Sequence, residues 1–398
     1  MTPGHISAKT RSAVEYLSST IAFVTDSAWA RQAGEPDVCD FAIGNPQEMP
    51  PPAFVEALQR WTAPRNSHWY GYMLNDPASR AIVAEALQKR RGVPFAAEDI
   101  FLTNGATAAL AVVLCTIIDP GDEVIFISPP WFQYESMIIN AGGTPVRVPM
   151  DGQTFDLDLA EIEAAMTGRT RAIIVNSPHN PSGKIYPPQT LGVLARLLTE
   201  AGKRIGRRIY LISDEAYSRI IFDGRTYTSP TAYYPHSFLV YTYAKVLLTP
   251  GQRIGYIALP PEMPDREEMR TALLGMQMIN GWAFPNALLQ HALGDIEAIG
   301  PDIAHLQSKR DRLVDGLNAL GYQASRPEGT FYVLAQSPLA DDQAFIAQLA
   351  EQKVFCIPGS AMGLPGFFRL SLTARMEMID RALPVFAALA KQVGGENA

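Results

Sequence analysis

Lys245 ends the segment Tyr241-Thr242-Tyr243-Ala244-Lys245, directly behind an apolar run. A lysine in that position loses its charge more readily when desolvated, and a neutral amine is what imine formation requires. Asp214, in Ile212-Ser213-Asp214-Glu215-Ala216-Tyr217, follows another apolar run and brings an acid to a comparable place. A third run ends in Asn176-Ser177-Pro178-His179-Asn180-Pro181-Ser182-Gly183. Upstream, Asn104-Gly105-Ala106-Thr107 separates a β-rich run from a helical one. Small residues there let backbone N–H groups and the helix dipole converge on an anion, and the Thr107 hydroxyl adds a donor. Singly, each segment has a plainer reading: a surface lysine, a helix-capping aspartate, a Pro/Gly turn, a strand-to-helix turn.

The elements that must position these residues alternate from about Asp99 onward. Strands are expected at Ile100–Thr103, Glu123–Ile127, Ala172–Val175, Ile209–Ile212, Phe238–Tyr241 and Ile254–Ala258. Between them fall helical patterns at Ala106–Ile118, Phe132–Asn140 and Pro188–Gly202, the last with Leu191, Leu194, Leu197 and Leu198 turned inward. Such alternation predicts an α/β fold with a mostly parallel sheet between helices. Ligands in such sheets bind at the carboxyl ends of the strands, where the four segments lie. After Pro285 the pattern changes to a long helical stretch, Leu289–Leu320, then short strands near Phe331–Leu334, Val354–Ile357 and Phe367–Leu370, then a helix over Arg375–Lys391. This predicts a smaller α/β domain built from both termini: residues 1–49 and 291–398 around a large domain of 50–290, with Pro50–Pro52 at a crossing.

The chain has 398 residues, a formal charge of −7 and a pI near 5.5. With no Lys/Arg-rich run to offset that charge, nucleic acid is not an expected partner. No stretch approaches the apolar length of a membrane span and no leader pattern opens the chain, so a soluble cytoplasmic protein is expected. The three cysteines are far apart and the six histidines include no HExxH pair, so neither a disulfide framework nor a metal site is expected.

Taken in order, the four segments resemble the class I/II, or fold-type I, aminotransferases, which depend on pyridoxal 5′-phosphate. Further matching segments are Phe41-Ala42-Ile43-Gly44-Asn45-Pro46, Tyr70 before Pro77, Pro130-Trp131, Pro327-Glu328-Gly329-Thr330-Phe331-Tyr332, Pro358-Gly359-Ser360 and Phe368-Arg369-Leu370-Ser371. They extend the resemblance over nearly the whole chain. It implies that Lys245 is the Schiff-base lysine and the base that moves the substrate's α-proton. It implies that Asp214 pairs with the pyridine nitrogen, that Asn180 and Tyr217 donate to the ring oxygen, and that Trp131 lies against the ring face. Gly105, Ala106, Thr107, Thr242 and Arg253 match the phosphate contacts, and Tyr70 matches a residue reaching the neighbouring subunit's phosphate, which implies a homodimer. Arg369, assisted by Gly44 and Asn180, matches the holder of the substrate α-carboxylate.

The implied function is ping-pong transfer of an amine from an α-amino acid to a 2-oxo acid. Decarboxylation, elimination or oxidation on the same fold is the nearest alternative, and a non-catalytic binding or regulatory domain is one of another class. Three departures from the pattern matter. Gly44-Asn45-Pro46-Gln47 replaces Gly-Glu-Pro-Asp, Ala244 stands where a hydroxyl residue often precedes the lysine, and Asn280-Gly281-Trp282-Ala283-Phe284-Pro285 is bulky where relatives are small. Aspartate-using relatives often carry Lys at the position of Thr107. Its absence predicts a preference for uncharged donors, as would Trp282 and Phe284 if they line the entrance rather than pack in a dimer interface.

Overall fold

Residues 5–396 are described by a computed structural model. Its centre is a seven-stranded sheet of β1 (Ile100–Thr103), β2 (Glu123–Ser128), β3 (Thr144–Pro149), β4 (Thr170–Asn176), β5 (Tyr210–Asp214), β6 (Ser237–Thr242) and β7 (Gly255–Ala258). The spatial order is β1-β7-β6-β5-β4-β2-β3. β7 runs antiparallel to both its neighbours, and all other pairs are parallel. The four central strands β4 to β7 are buried almost throughout and read as near-continuous apolar runs, as a sheet covered on both faces requires.

The helix Gly105–Ile117 is buried along most of its length and packs on β6, β7 and the helix Arg266–Ile279. Its sequence is apolar on all sides because both of its faces are covered. The helix Pro188–Ile205 is amphipathic instead. It buries Leu191, Leu194 and Leu198 against the other part of the sheet, leaves Leu197 half-buried, and ends at Gly206 in the left-handed region (φ 77°).

β3 was not among the expected strands. Its prolines, Pro145 and Pro149, argue against a central strand, but β3 lies at the sheet edge, where a missing N–H is tolerated. The expected long helix over Leu289–Leu320 is three helices, Ala287–His291, Leu293–Ala298 and Ile303–Ala319. Ile299-Gly300-Pro301 separates the last two, since the residue before a proline is pushed out of the helical region, and the first two part at Ala292. Pro384, by contrast, sits inside the terminal helix Met376–Glu396.

In the C-terminal part, β8 (Tyr332–Gln336), β9 (Ile357–Pro358) and β10 (Phe367–Ser371) form an antiparallel sheet ordered β9-β10-β8. A separate parallel pair joins Cys39–Asp40 to Val354–Phe355, tying the N-terminal segment to this region. One apolar cluster runs continuously from Leu102, Leu239 and Tyr256 to Leu313, Val333 and Phe368, so both regions share packing. Three N-terminal helices, Ala8–Glu15, Ser18–Asp26 and Ala28–Gln32, precede them. No helix among the described residues is long and apolar enough to cross a membrane.

Candidate active site

Strand register brings the chemistry-bearing segments level. Asn176 pairs with Asp214, and Asp214 with Val240. Thr103, Gly255 and Thr242 form one row across β1, β7 and β6. The turns that follow therefore open on one edge, around a cavity of about 860 Å³. Gly44, Ala106, Thr107, Trp131, Asn180, Asp214, Tyr217, Thr242, Lys245, Arg253 and Arg369 all line it. Two of the expected residues do not. Gly105 lies just behind the wall, and Tyr70 is 56% exposed, with its hydroxyl donating to the Thr62 carbonyl.

Lys245 is carried on the short helix Tyr243–Val246, capped by Thr242, whose Oγ1 accepts from the Ala244 N–H at 3.3 Å. Its Nζ lies 5.7 Å from the ring centre of Tyr217 and 5.5 Å from that of Phe331. It makes no ion pair among the described residues.

Asp214 is buried. Its Oδ2 accepts from Tyr134 Oη at 2.6 Å and its Oδ1 from the Ala216 N–H at 3.2 Å. Burial pushes its carboxyl above the ordinary range, against the pull of the Tyr134 hydrogen bond, the Ala216 N–H and the Lys245 charge. Asn176 braces the strand end, donating from Nδ2 to the Asp214 carbonyl at 2.9 Å and accepting the Asn180 N–H at 2.7 Å. In the same turn His179 is buried, and desolvation drives it down to about 3, which keeps it neutral beside Ser182 Oγ at 2.9 Å.

At the other end, Arg253 has no acid partner among the described residues and donates only to the Pro250 carbonyl, at 2.9 Å. Burial alone lowers its affinity for a proton. Gly105 has φ +82°, and a Cβ there would stand 2.6 Å from Arg253 Nη2 and 3.4 Å from Thr242 Oγ1. Only glycine lets the guanidinium, the hydroxyl and the start of the helix Gly105–Ile117 converge so closely. Such a cluster of donors with no anion of its own suits a phosphate.

Arg369, on β10, donates from Nη2 to the Ala42 carbonyl at 2.9 Å and from Nη1 to Asn180 Oδ1 at 3.3 Å. Its guanidinium lies 4.1 Å from the ring centre of Tyr332, and its Nε is buried with no partner. A Cβ on Gly44 would stand 2.5 Å from Tyr332 Oη, so glycine is what admits the phenol there. Burial raises the Tyr332 phenol, but Arg369, then Lys245, then a hydrogen bond with Tyr217 outweigh it, and the net direction is down. Tyr217 moves up, first through burial and then through Tyr332.

Tyr134 and Tyr332 touch functional groups, yet sequence reasoning gave neither a role. Tyr332 lies in the motif segment ending Phe331-Tyr332 and Tyr134 follows Trp131 by three residues, which is the signal that was available. Phe23 and Trp29, from the N-terminal helices, also line the cavity, and nothing in their sequence pattern pointed there. Trp282 and Phe284 do not line it. They are exposed at 38% and 49%, and Phe284 packs on Tyr72 with ring centres 4.7 Å apart.

A mostly parallel sheet with a lysine, an acid and a cluster of anion-binding donors along one edge defines a class, and residues 36–386 match the family Aminotransferase class I and II. The chain belongs to that family and is a pyridoxal-phosphate-dependent aminotransferase. More particularly, it is 34% identical over 379 residues to the aspartate/prephenate aminotransferase of Thermus thermophilus, covering 93% of this chain and 95% of that protein. Among solved structures, an amino transferase from Eubacterium rectale superposes with TM-score 0.87 at 32% identity, covering 98% and 97% of the two chains. The aspartate aminotransferase of Thermus thermophilus with maleate gives 0.82 at 29% identity, covering 97% and 99%.

Proposed function

We propose that Lys245 binds the cofactor covalently and transfers the substrate's α-proton, and that Arg369 holds the α-carboxylate of donors whose side chains are uncharged. The observation that carries the substrate reading is the cavity's inventory of charge. Among the described residues of this chain, the cations lining the cavity are Lys245, Arg253 and Arg369, each already engaged by the roles proposed here. Much of the remaining wall is apolar, including Phe23, Trp29, Ile43, Ile346, Phe355 and Met362.

Pyridoxal phosphate, when bound, supplies an aldehyde that condenses with amines and a ring that delocalises the charge left at a substrate carbon. The residues fit it. Gly105, Ala106, Thr107, Thr242 and Arg253 would hold the phosphate, Asn180 and Tyr217 the ring oxygen, Asp214 the ring nitrogen, and Trp131 the ring face. Arg369 offers a planar fork with an unpartnered Nε, which matches a carboxylate, and Gly44 leaves room for it. Lys245, whose Nζ faces the Tyr217 and Phe331 rings and makes no ion pair among the described residues, would be the amine that condenses with that aldehyde and, once displaced, the base at the substrate carbon. The reading also includes a large domain of residues 50–290, a small one of 1–49 with 291–398, and a cytoplasmic enzyme.

The test is a single-turnover half-reaction with a panel of amino acids. Methionine, leucine or phenylalanine should react with a kcat/KM at least about tenfold above aspartate, since burying an unpaired carboxylate costs several kcal/mol. Arg369→Ala should lower kcat/KM for every donor by about 30-fold or more, because each loses the same charge-assisted pair. A higher kcat/KM for aspartate or glutamate would overturn the substrate reading.

The same reading makes the enzyme a homodimer in which a second copy's Tyr70 completes the phosphate site. The segments bearing exposed Tyr70 and Tyr72 and exposed Met278, Ile279, Trp282 and Phe284 meet at the Tyr72–Phe284 contact. Large apolar side chains grouped in this way suit a covered interface. Mixing inactive Lys245→Ala protein with a Tyr70→Ala variant should restore partial activity once subunits exchange, because one hybrid site is intact. Exchange without recovery would remove the shared site.

A further inference from the structure

The hydrogen bond between Tyr134 and Asp214 joins two parts of the fold that strand pairing does not join. Tyr134 begins the helix Tyr134–Asn140 behind β2, whereas Asp214 ends β5, and β4 lies between those strands. The phenol reaches across and meets Asp214 Oδ2 at 2.6 Å, and both side chains are almost fully buried. The Tyr134 ring is fixed from two sides, edge-on to Trp131 at 5.5 Å and tilted against Phe126 at 6.4 Å.

We propose that Tyr134 is a positioning residue of the transamination site, whose hydroxyl fixes the Asp214 carboxylate in one rotamer and holds it ionised in a site that otherwise disfavours charge. This rests on the role proposed for Asp214. Without Tyr134, the donors left to the carboxylate are the Ala216 N–H at Oδ1 and the more distant Lys245 charge. The other groups facing it do not help. Glu215, next along the chain, raises its proton affinity, although Arg91, Ser213 and Ser229 bind that second carboxylate. Tyr217 and Tyr227 lie near enough for Asp214 to disfavour their ionisation, and burial pushes both well above the ordinary phenol range. Tyr134 itself is driven well above that range by burial and then by Asp214, so at working pH its hydroxyl carries the proton it donates. Its second effect is geometric. With Oδ2 held by Tyr134 and Oδ1 by Ala216, the carboxylate cannot rotate without breaking a bond at each oxygen.

The experiment removes one oxygen atom. In cofactor-free protein carrying carboxyl-¹³C aspartate, the Asp214 resonance, assigned by its loss in Asp214→Asn, is followed with pH. Tyr134→Phe should move its midpoint upward by about one unit, since a hydrogen bond to an ionised group is of that order. Phe126→Leu, which disturbs the packing of the same ring but keeps the hydroxyl, should leave the midpoint in place. In the holoenzyme, Tyr134→Phe should lower kcat about tenfold, keep the donor KM within about twofold, and shift the acid limb of the pH–rate profile upward. An unchanged Asp214 midpoint in Tyr134→Phe, or an equal shift in Phe126→Leu, would overturn the proposal. Because the titration needs neither cofactor nor turnover, it answers separately from the role of Asp214. If the midpoint moves while kcat does not, that role fails and the hydrogen bond's effect on charge stands.

Discussion

Lys245→Ala is expected to fold and to lose transamination by about 10⁴-fold or more in kcat, the larger end of what one proton-transferring group contributes. The loss should fall on the chemical step, because the proposed carboxylate and phosphate donors, Arg369 and Arg253, are untouched. Folding should survive for local reasons. The short helix carrying Lys245 is held by the Thr242 cap and by buried Tyr243, Ala244 and Val246, and the Lys245 side chain makes no ion pair among the described residues. Small primary amines added to the variant should restore part of the rate, since they can enter the space left by the side chain and accept the same proton. Lys245→Arg should not be restored in this way, because a guanidinium fills the space and keeps its charge. Retention of more than about a tenth of the wild-type rate in Lys245→Ala would show that another group moves the proton. Amine rescue of the variant, measured against amine basicity, separates loss of a base from a general disturbance of the site.

How much of this was legible in the sequence depends on how local the determinant was. The central strands β4 to β7 could be read because burial on both faces makes them plain apolar runs, and the turns behind them carry Gly, Pro, Asn and Asp in recognisable order. β3 was missed because its prolines speak against a strand, and only its place at the sheet edge makes them acceptable. The helix over 289–320 was drawn through Gly300-Pro301 because the apolar periodicity on either side outweighed the break. In the site, residues set by strand ends were named from the sequence: Asp214, Asn180, Lys245 and Arg253. Residues that reach the cavity from afar were not. Phe23 and Trp29 arrive from the N-terminal helices, and Trp29 is anchored by its Nε1 donating to Asp40 Oδ2 at 2.9 Å, a contact with no local signature. Trp282 and Phe284, whose bulk suits either a substrate entrance or a dimer interface, lie outside the cavity of this chain and are exposed.

Asp214→Asn should separate stability from activity. In the cofactor-free protein the carboxyl of Asp214 is pushed up from its ordinary value, chiefly by burial. A raised acid contributes stability that is fully present below the unfolded value near 3.8 and is lost as pH rises through the folded value. Above the folded value the ionised carboxylate is therefore a burden on the cofactor-free protein, and asparagine removes it without changing volume. In the variant the amide oxygen can keep the Ala216 N–H, while the amide NH2 takes the place of Oδ2 and donates to the Tyr134 oxygen, which can accept as well as donate. The melting temperature of cofactor-free Asp214→Asn should equal or exceed that of the wild type at pH 7.5, with the difference vanishing below about pH 4. Activity should move the opposite way. A neutral amide cannot hold a proton on the ring nitrogen as a carboxylate does, so kcat should fall about 100-fold or more while the phosphate contacts retain the cofactor. A lower melting temperature at pH 7.5 would mean that Asp214 is held by partners stronger than Tyr134 and Ala216. Near-normal turnover in a cofactor-loaded variant would remove it from the chemistry, since among the described residues the only other acid lining the cavity is the exposed Asp26.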